Sequence, residues 1–399
     1  MEEASALASG WACLPSHLLD SILEKLIPVS DYIMFSAVCK HWRSIALHNS
    51  KKRLESCHRQ LPMLMVPSKD NNDEMRGLYS VTQGKTYTYE LHVPYNRRCC
   101  GSSHRLLAYA DDKSVITLLN PFTGCAIRLP PVTKVPRLFI RPERYIRKVV
   151  LSADPYLFPN DYEALVIYDH SKKIAHLKLR DVSTKKQKKK SGKKKKSGKK
   201  KKSGDDGWTH IATDSRSQFS DVIHYKGQFL VVSYDGSVFS INVNGATTEP
   251  YINKVVKQAS LFGLRPYLVE SSRGELLLIM KFEGPDFDLR MMVSFKVFKL
   301  LCACGDRPEC VEEIESIGSD ALFLGEVESM CASALDFPGC QPNCIYFSTS
   351  DWGIAEGALD MAAFNLAPRR METHYFSSSR LNKRMPSSVW ILPTVVLKP

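Results

Sequence analysis

Twelve cysteines and eleven histidines are the residues of this chain best suited to metal or thiol chemistry. Cys302, Cys304, Cys310, Cys340 and Cys344 fall late in the chain, with C-x-C and C-x3-C spacings. A structural zinc site draws on paired C-x2-C knuckles that gather thiolates tetrahedrally, so these spacings favour thiols buried in strands. Cys99 and Cys100 are adjacent and geometrically poor partners for an ordinary disulfide. The remaining cysteines are scattered, without the dense spacing of a secreted disulfide framework, and predict a reduced, intracellular protein. The histidines show no ligand spacing. Glu326, Glu328 and Asp336 read as turn and capping residues rather than an acid/base pair. The chain carries no G-x-G-x-x-G, P-loop, H-E-x-x-H or G-x-S-x-G pattern. The expectation is a non-enzyme with no cofactor and no metal.

One segment dominates the charge. Thirteen lysines lie between Lys185 and Lys202, and without them forty-two basic residues face forty-two acidic ones. Within that run Lys188, Lys189, Lys190, Lys193, Lys194, Lys195, Lys196, Lys199, Lys200, Lys201 and Lys202 stand in Lys–Ser–Gly repeats. Self-repulsion and the lack of apolar residues predict a disordered insertion over 185–206, interrupting a strand pattern that resumes at Trp208. Functionally it is a candidate nuclear localisation signal, which sets the expected compartment as the nucleus, with the cytoplasm second. The bland alternative is a solvated loop that aids solubility. Because the excess charge is confined to one loop, a nucleic-acid-binding face is not expected. Nor is a membrane: the best apolar run, Leu276–Met280, is strand-sized, against about 20 residues for a spanning helix. The first ten residues lack the basic start and apolar run of a signal peptide.

The elements that must position any site change character at about residue 60. Leu18, Leu19, Ile22, Leu23 and Leu26 form one apolar stripe at helical spacing, with Pro15 at its start and Pro28 at its stop. Ser30 or Asp31 can cap a second helix carrying Ile33, Met34, Val38 and Cys39, and a third carries Trp42, Ile45 and Leu47. Three helices in so few residues have little interior and lean on something else. A polar helical stretch follows. Beyond it, glycine-marked turns at Gly84, Gly227, Gly236 and Gly274 separate short runs that alternate like strands. Subtracting an insert of about 25 residues from 62–396 leaves about 310, and at roughly 40–50 residues per four-stranded blade that predicts six or seven blades of a propeller. A double sandwich is the alternative.

Residues 11–26, Trp-Ala-Cys-Leu-Pro-Ser-His-Leu-Leu-Asp-Ser-Ile-Leu-Glu-Lys-Leu, and 35–43, Phe-Ser-Ala-Val-Cys-Lys-His-Trp-Arg, resemble an F-box. The rest is similar to the plant F-box family with a KIB-type C-terminal β-propeller. That similarity is carried by Leu119-Asn120-Pro121-Phe122-Thr123-Gly124, Phe323-Leu324-Gly325-Glu326-Val327-Glu328-Ser329-Met330 and the stretch Asp336 to Phe347. The lysine repeat departs from the family pattern.

The resemblance implies a mainly β chain with a small all-α start: an F-box at 11–50, a connecting helix at 51–61 and a propeller at 62–396. It implies the substrate-recognition subunit of an SCF-type ubiquitin ligase, with a Skp-like adaptor, a cullin reached through it, and an unidentified protein substrate as partners. Leu14, Pro15, Leu18, Leu19, Ile22, Leu23, Val38 and Trp42 are the carried-over adaptor-binding residues, some of which must also fill the three-helix interior. No propeller residue set carries over. The rival readings are a propeller scaffold or regulator of a nuclear partner acting without ligase assembly, and, more remotely, a propeller enzyme.

Overall fold

The computed structural model describes residues 10–26, 29–49, 60–67, 75–94, 97–133, 145–180, 207–213, 217–241, 251–253, 265–285, 291–303, 307–348, 361–375 and 388–393. The lysine run and most of the predicted connecting helix fall outside them; Gln60 and Leu61, at its end, are not helical.

Three helices come first: α1 (Ser16–Lys25), α2 (Val29–Ala37) and α3 (Lys40–His48). Pro15 is the N-cap of α1, where first-turn N–H groups have no helical partner and proline's missing donor costs nothing. Asp31 lies in the first turn of α2 rather than capping it, a place where the helix dipole favours a negative charge. The interior is small: Leu19, Leu23, Tyr32, Phe35, Trp42 and Ala46. Phe35 and Trp42 meet with ring centroids 4.6 Å apart, and the Tyr32 hydroxyl donates to the Ala46 carbonyl at 2.6 Å.

From residue 63 on, the described residues form strands, with one short 3-10 turn at Ala334–Asp336. They make six sheets arranged as the blades of a propeller. The first holds β1 (Met63–Pro67), β2 (Met75–Ser80) and β3 (Lys85–Glu90). The second holds β4 (Cys99–Ser103), β5 (Leu106–Ala110), β6 (Ile116–Leu119) and β7 (Ala126–Arg128). The third holds β8 (Ile146–Leu151), β9 (Asp161–Tyr168), β10 (Lys173–Arg180) and β11 (Thr209–Ile211), and the lysine run is strung between its last two strands. The fourth holds β12 (Phe219–Tyr225), β13 (Gln228–Ser233), β14 (Val238–Ile241) and β15 (Tyr251–Asn253). The fifth holds β16 (Arg265–Glu270), β17 (Leu276–Pro285), β18 (Met291–Ala303) and β19 (Arg307–Ile314). The sixth holds β20 (Asp320–Leu324), β21 (Ser329–Ser333), β22 (Cys344–Ser348), β23 (Met361–Asn365) and β24 (Arg370–Tyr375), with β20 parallel to β22. The last strand, β25 (Val389–Ile391), pairs antiparallel with β1 and so joins the end of the chain to the first blade.

Blades stack face to face, which is why β5 and β20 are buried at every position instead of alternating. The predicted hairpins appear where glycine marks them. Lys226 and Gly227, for example, both take positive φ (46° and 80°) in the two-residue turn joining β12 to β13, the backbone that matches strand twist.

The innermost strand is the first of the chain in the second to fifth blades, β25 in the first and β21 in the sixth, and these strands neighbour one another in the order β25, β4, β8, β12, β16 and β21. They run the same way around the ring. The Leu151 N–H donates to Ser103 Oγ at 3.3 Å, and a Cβ built on Gly101 would stand 2.4 Å from the Val149 carbonyl oxygen. Only glycine permits that approach of β4 to β8. A central channel therefore has an entry end, where inner strands begin, and an exit end, where they finish.

Candidate functional site

The eight adaptor-facing residues named from the sequence separate by depth. Leu19, Leu23 and Trp42 belong to the helical module's own interior, with Leu14 and Ile22 packed at its edge. Pro15, Leu18 and Val38 are exposed. Two residues not singled out for this face join them: Met34 is 71% and Trp11 61% exposed, beside Leu18 at 44% and Val38 at 54%. Met34 and Val38 are one helical turn apart, a spacing legible in the sequence. The Trp42 indole N–H donates to the Trp11 carbonyl at 3.1 Å, and His41 Nε2 lies 3.2 Å from the Leu14 carbonyl. These contacts tie residues 11–14 to the start of α3, so the exposed side chains before α1 and at the end of α2 gather at one end. An exposed apolar surface on a module with so small a core has the character of surfaces that meet another polypeptide.

The propeller offers a different kind of site. A channel cavity of about 300 Å³ is lined by inner-strand residues including Ser102, Lys148, Val222, Leu268, Glu328 and Met330. Lys148, on the lining, forms a buried ion pair with Asp221 of the neighbouring inner strand, with side chains 5% and 3% exposed. Asp221 also accepts from its neighbour Val222 N–H at 2.7 Å and from Leu268 N–H at 2.9 Å. One carboxylate thus pins β8, β12 and β16 together. Burial pushes the Glu328 carboxyl up to about 8; Lys148 pulls it down, Asp221 pushes it further up, and Ser102 hydrogen-bonds it. Burial lowers His104 and His224, which also line the cavity toward its exit end.

At the entry end, Arg98 Nη2 meets Glu326 Oε2 at 3.1 Å, with side chains 13% and 6% exposed. Arg265 Nη2 donates to the Glu326 carbonyl at 3.0 Å. Burial alone would raise the Glu326 carboxyl; Arg98, Arg265 and Arg147 together outweigh it and hold the group below the usual carboxylate range. Glu326 and Glu328 do lie in the turn between β20 and β21, as expected of turn residues, and their carboxyls have a further part. One is an ion-pair partner and the other a channel carboxyl, because ring closure places both beside cations from other blades. Asp336 does lie in a turn, the 3-10 segment after β21.

Cys99, Cys100, Cys340 and Cys344 are buried free thiols. Burial pushes Cys99 and Cys344 up to about 12 and Cys340 to about 11, which disfavours the thiolate that metal binding needs. The side chains of Cys302, Cys304 and Cys310 lie outside the described residues. No group of three or more His, Cys, Asp or Glu side chains suited to a metal occurs among the described residues.

Two family models match the chain: "F-box-like" over residues 11–52 and "KIB1-4 beta-propeller" over residues 78–373. Probable F-box protein At4g22165 of Arabidopsis thaliana is 26% identical over 393 residues, covering 96% of this chain and 97% of its own length. F-box protein At2g17036 of the same plant is 26% identical over 362 residues, covering 83% of this chain and 81% of its own.

Proposed function

The chain belongs to the KIB1-4 beta-propeller family, and with an F-box-like module ahead of the propeller we propose that it is the substrate-recognition subunit of an SCF-type ubiquitin ligase. F-box proteins with a C-terminal propeller serve in general as non-catalytic substrate adaptors. The finer reading is that the exposed end of the helical module docks a Skp-like adaptor and, through it, a cullin, while the propeller holds a target protein. The reactive ubiquitin thioester then sits on a separate enzyme, and this chain contributes proximity: it raises the effective concentration of a target lysine near the charged ubiquitin.

The observation that carries this reading is the display of Leu18, Met34 and Val38 around an interior already filled by Leu19, Leu23 and Trp42. The interior residues hold the helices in place; the exposed ones are free to enter a partner's groove. Capture of a Skp-like adaptor by the full-length chain tests it. Leu18→Asp with Val38→Asp is expected to weaken capture at least about thirtyfold, the loss of a buried anchor at an interface. Capture unchanged by both substitutions would reject the reading, and a native complex that contains no cullin would instead favour the scaffold reading.

We also propose that the lysine repeat directs nuclear import, since clustered lysines in a polar segment suit an import receptor's acidic groove. A fluorescent fusion with Lys193–Lys196 and Lys199–Lys202 changed to Gln should lose nuclear enrichment; unchanged distribution would leave the repeat a solvated loop.

A further inference from the structure

The wall of the channel cavity keeps one acid that no cation of the described chain meets directly. That wall runs from Ser102 and Glu328 toward the exit end, where His104 and His224 stand. Among the described residues lining it, the acidic and basic ones are Lys148, Glu270 and Glu328, while burial lowers the two histidines and so keeps them neutral at pH 7. Lys148 is committed to Asp221. The Asp221 carboxylate is in turn filled by that ammonium and by the Val222 and Leu268 N–H groups. Glu328 belongs to no ion pair among the described residues. One ammonium thus serves two channel carboxyls and contacts only the first.

Two further features of this wall suit a ligand. The Ser329 hydroxyl, one residue on from Glu328 and also on the lining, is buried without a hydrogen-bond partner. A buried unmet hydroxyl carries a desolvation penalty that native proteins seldom leave standing. Around these polar groups the wall is apolar, with Val150, Val222, Ile223, Leu268 and Met330. A few convergent polar groups in an apolar concavity of about 300 Å³ are what a small-ligand site is made of. The raised Glu328 carboxyl agrees with this geometry: burial outweighs the pull of Lys148, as it does for an acid without a cation of its own.

We propose that the cavity binds an alkylammonium group, with Glu328 as its counter-ion, Ser329 as a hydrogen-bond acceptor and the apolar wall around its stem. An ammonium brings one positive charge and three donors on a flexible carbon chain, so it can meet Glu328 and Ser329 together. An anion would face Glu328 with Lys148 already matched, and an uncharged ligand would leave the carboxyl without a cation. A metal ion would draw on three or more ligating side chains, and no such group occurs among the described residues. The ammonium can belong to a free amine or to a lysine side chain of a bound protein, and the inference does not depend on adaptor docking by the helical module.

Isothermal titration of the full-length chain with n-pentylamine and n-pentanol, and with a lysine-containing peptide beside its norleucine counterpart, tests it. Saturable binding of an amine probe is expected, weakened about tenfold or more by Glu328→Gln, the loss of one charge-assisted hydrogen bond. Glu328→Asp should lose less, because it keeps the charge on a shorter stem, and it stands in if the glutamine variant does not fold. Asp112→Asn, on an exposed turn of the second blade, should bind as the wild type does. Pentylamine binding as tightly as the lysine peptide assigns the site to a free amine; a preference for the lysine peptide over both pentylamine and the norleucine peptide assigns it to a protein side chain. No saturable binding of either amine probe, pentanol binding as tightly as pentylamine, or equal binding by wild type and both Glu328 variants overturns the inference.

Discussion

The exposed end of the helical module and the entry end of the propeller are built on opposite plans. The first is apolar and assembled from residues 11–38, within a short stretch of chain. The second is polar and charged, and a side-chain ion pair there joins Arg98 to Glu326 across 228 positions of sequence. A local surface depends on three short helices holding together. A ring surface depends on blades being in register. The two should therefore answer differently to substitution.

The largest separation is expected at Asp221. Changing it to Ala leaves Lys148 buried without its partner and takes the acceptor from Leu268 N–H. Breaking a buried pair from one side costs about 3–5 kcal/mol, and here the loss falls on three blades at once. Denaturant unfolding followed by propeller tryptophans such as Trp390 and Trp208 should show it, while adaptor capture per folded molecule stays unchanged. If Asp221→Ala unfolds no earlier than the wild type, the ring is not held by its inner-strand polar contacts.

A smaller effect, of opposite sign, is expected at Glu328. An acid whose pKa rises on folding, from an ordinary 4.5 to about 8, is protonated in both states at low pH. As pH climbs through that window the unfolded chain ionises first, so the folded state loses stability between about pH 4.5 and 8. Glu328→Gln removes this penalty. Its melting temperature should match the wild type near pH 5 and exceed it increasingly toward pH 8; a difference that stays flat with pH would show that the carboxyl is ionised in the channel.

The smallest effect belongs to the docking face. Leu18→Ala and Val38→Ala remove exposed side chains and should leave stability within about 0.5 kcal/mol, even as adaptor capture falls. A large loss of stability on either substitution would mean that these side chains pack against another part of the chain.

The same contrast explains what could be read from the sequence. Helices and hairpins announce themselves locally, through the Leu18–Leu26 stripe and through turns such as Lys226-Gly227. The docking face was half legible. Leu18 and Val38 share helical spacings with Leu19 and Phe35, and only the packing of Tyr32, Phe35 and Trp42 decides which side chains turn inward. The arginine cluster was not legible at all. Arg98, Arg147 and Arg265 sit in three unrelated stretches, and nothing in one stretch foretells that a ring will bring them to a single carboxylate. Bulges add to the difficulty: the register shift at Arg147 breaks the alternation by which a strand's two faces are told apart.

The pairing of β25 with β1 also sets an order of events at the ribosome. The helical module is complete after some fifty residues have been made, but Met63 to Pro67 must wait for Val389 to Ile391 before its sheet has an inner strand. Until then the slot beside Phe323 that Trp390 fills stays open. A chain that stops short of Val389 would keep its three helices and leave the first blade without its inner strand.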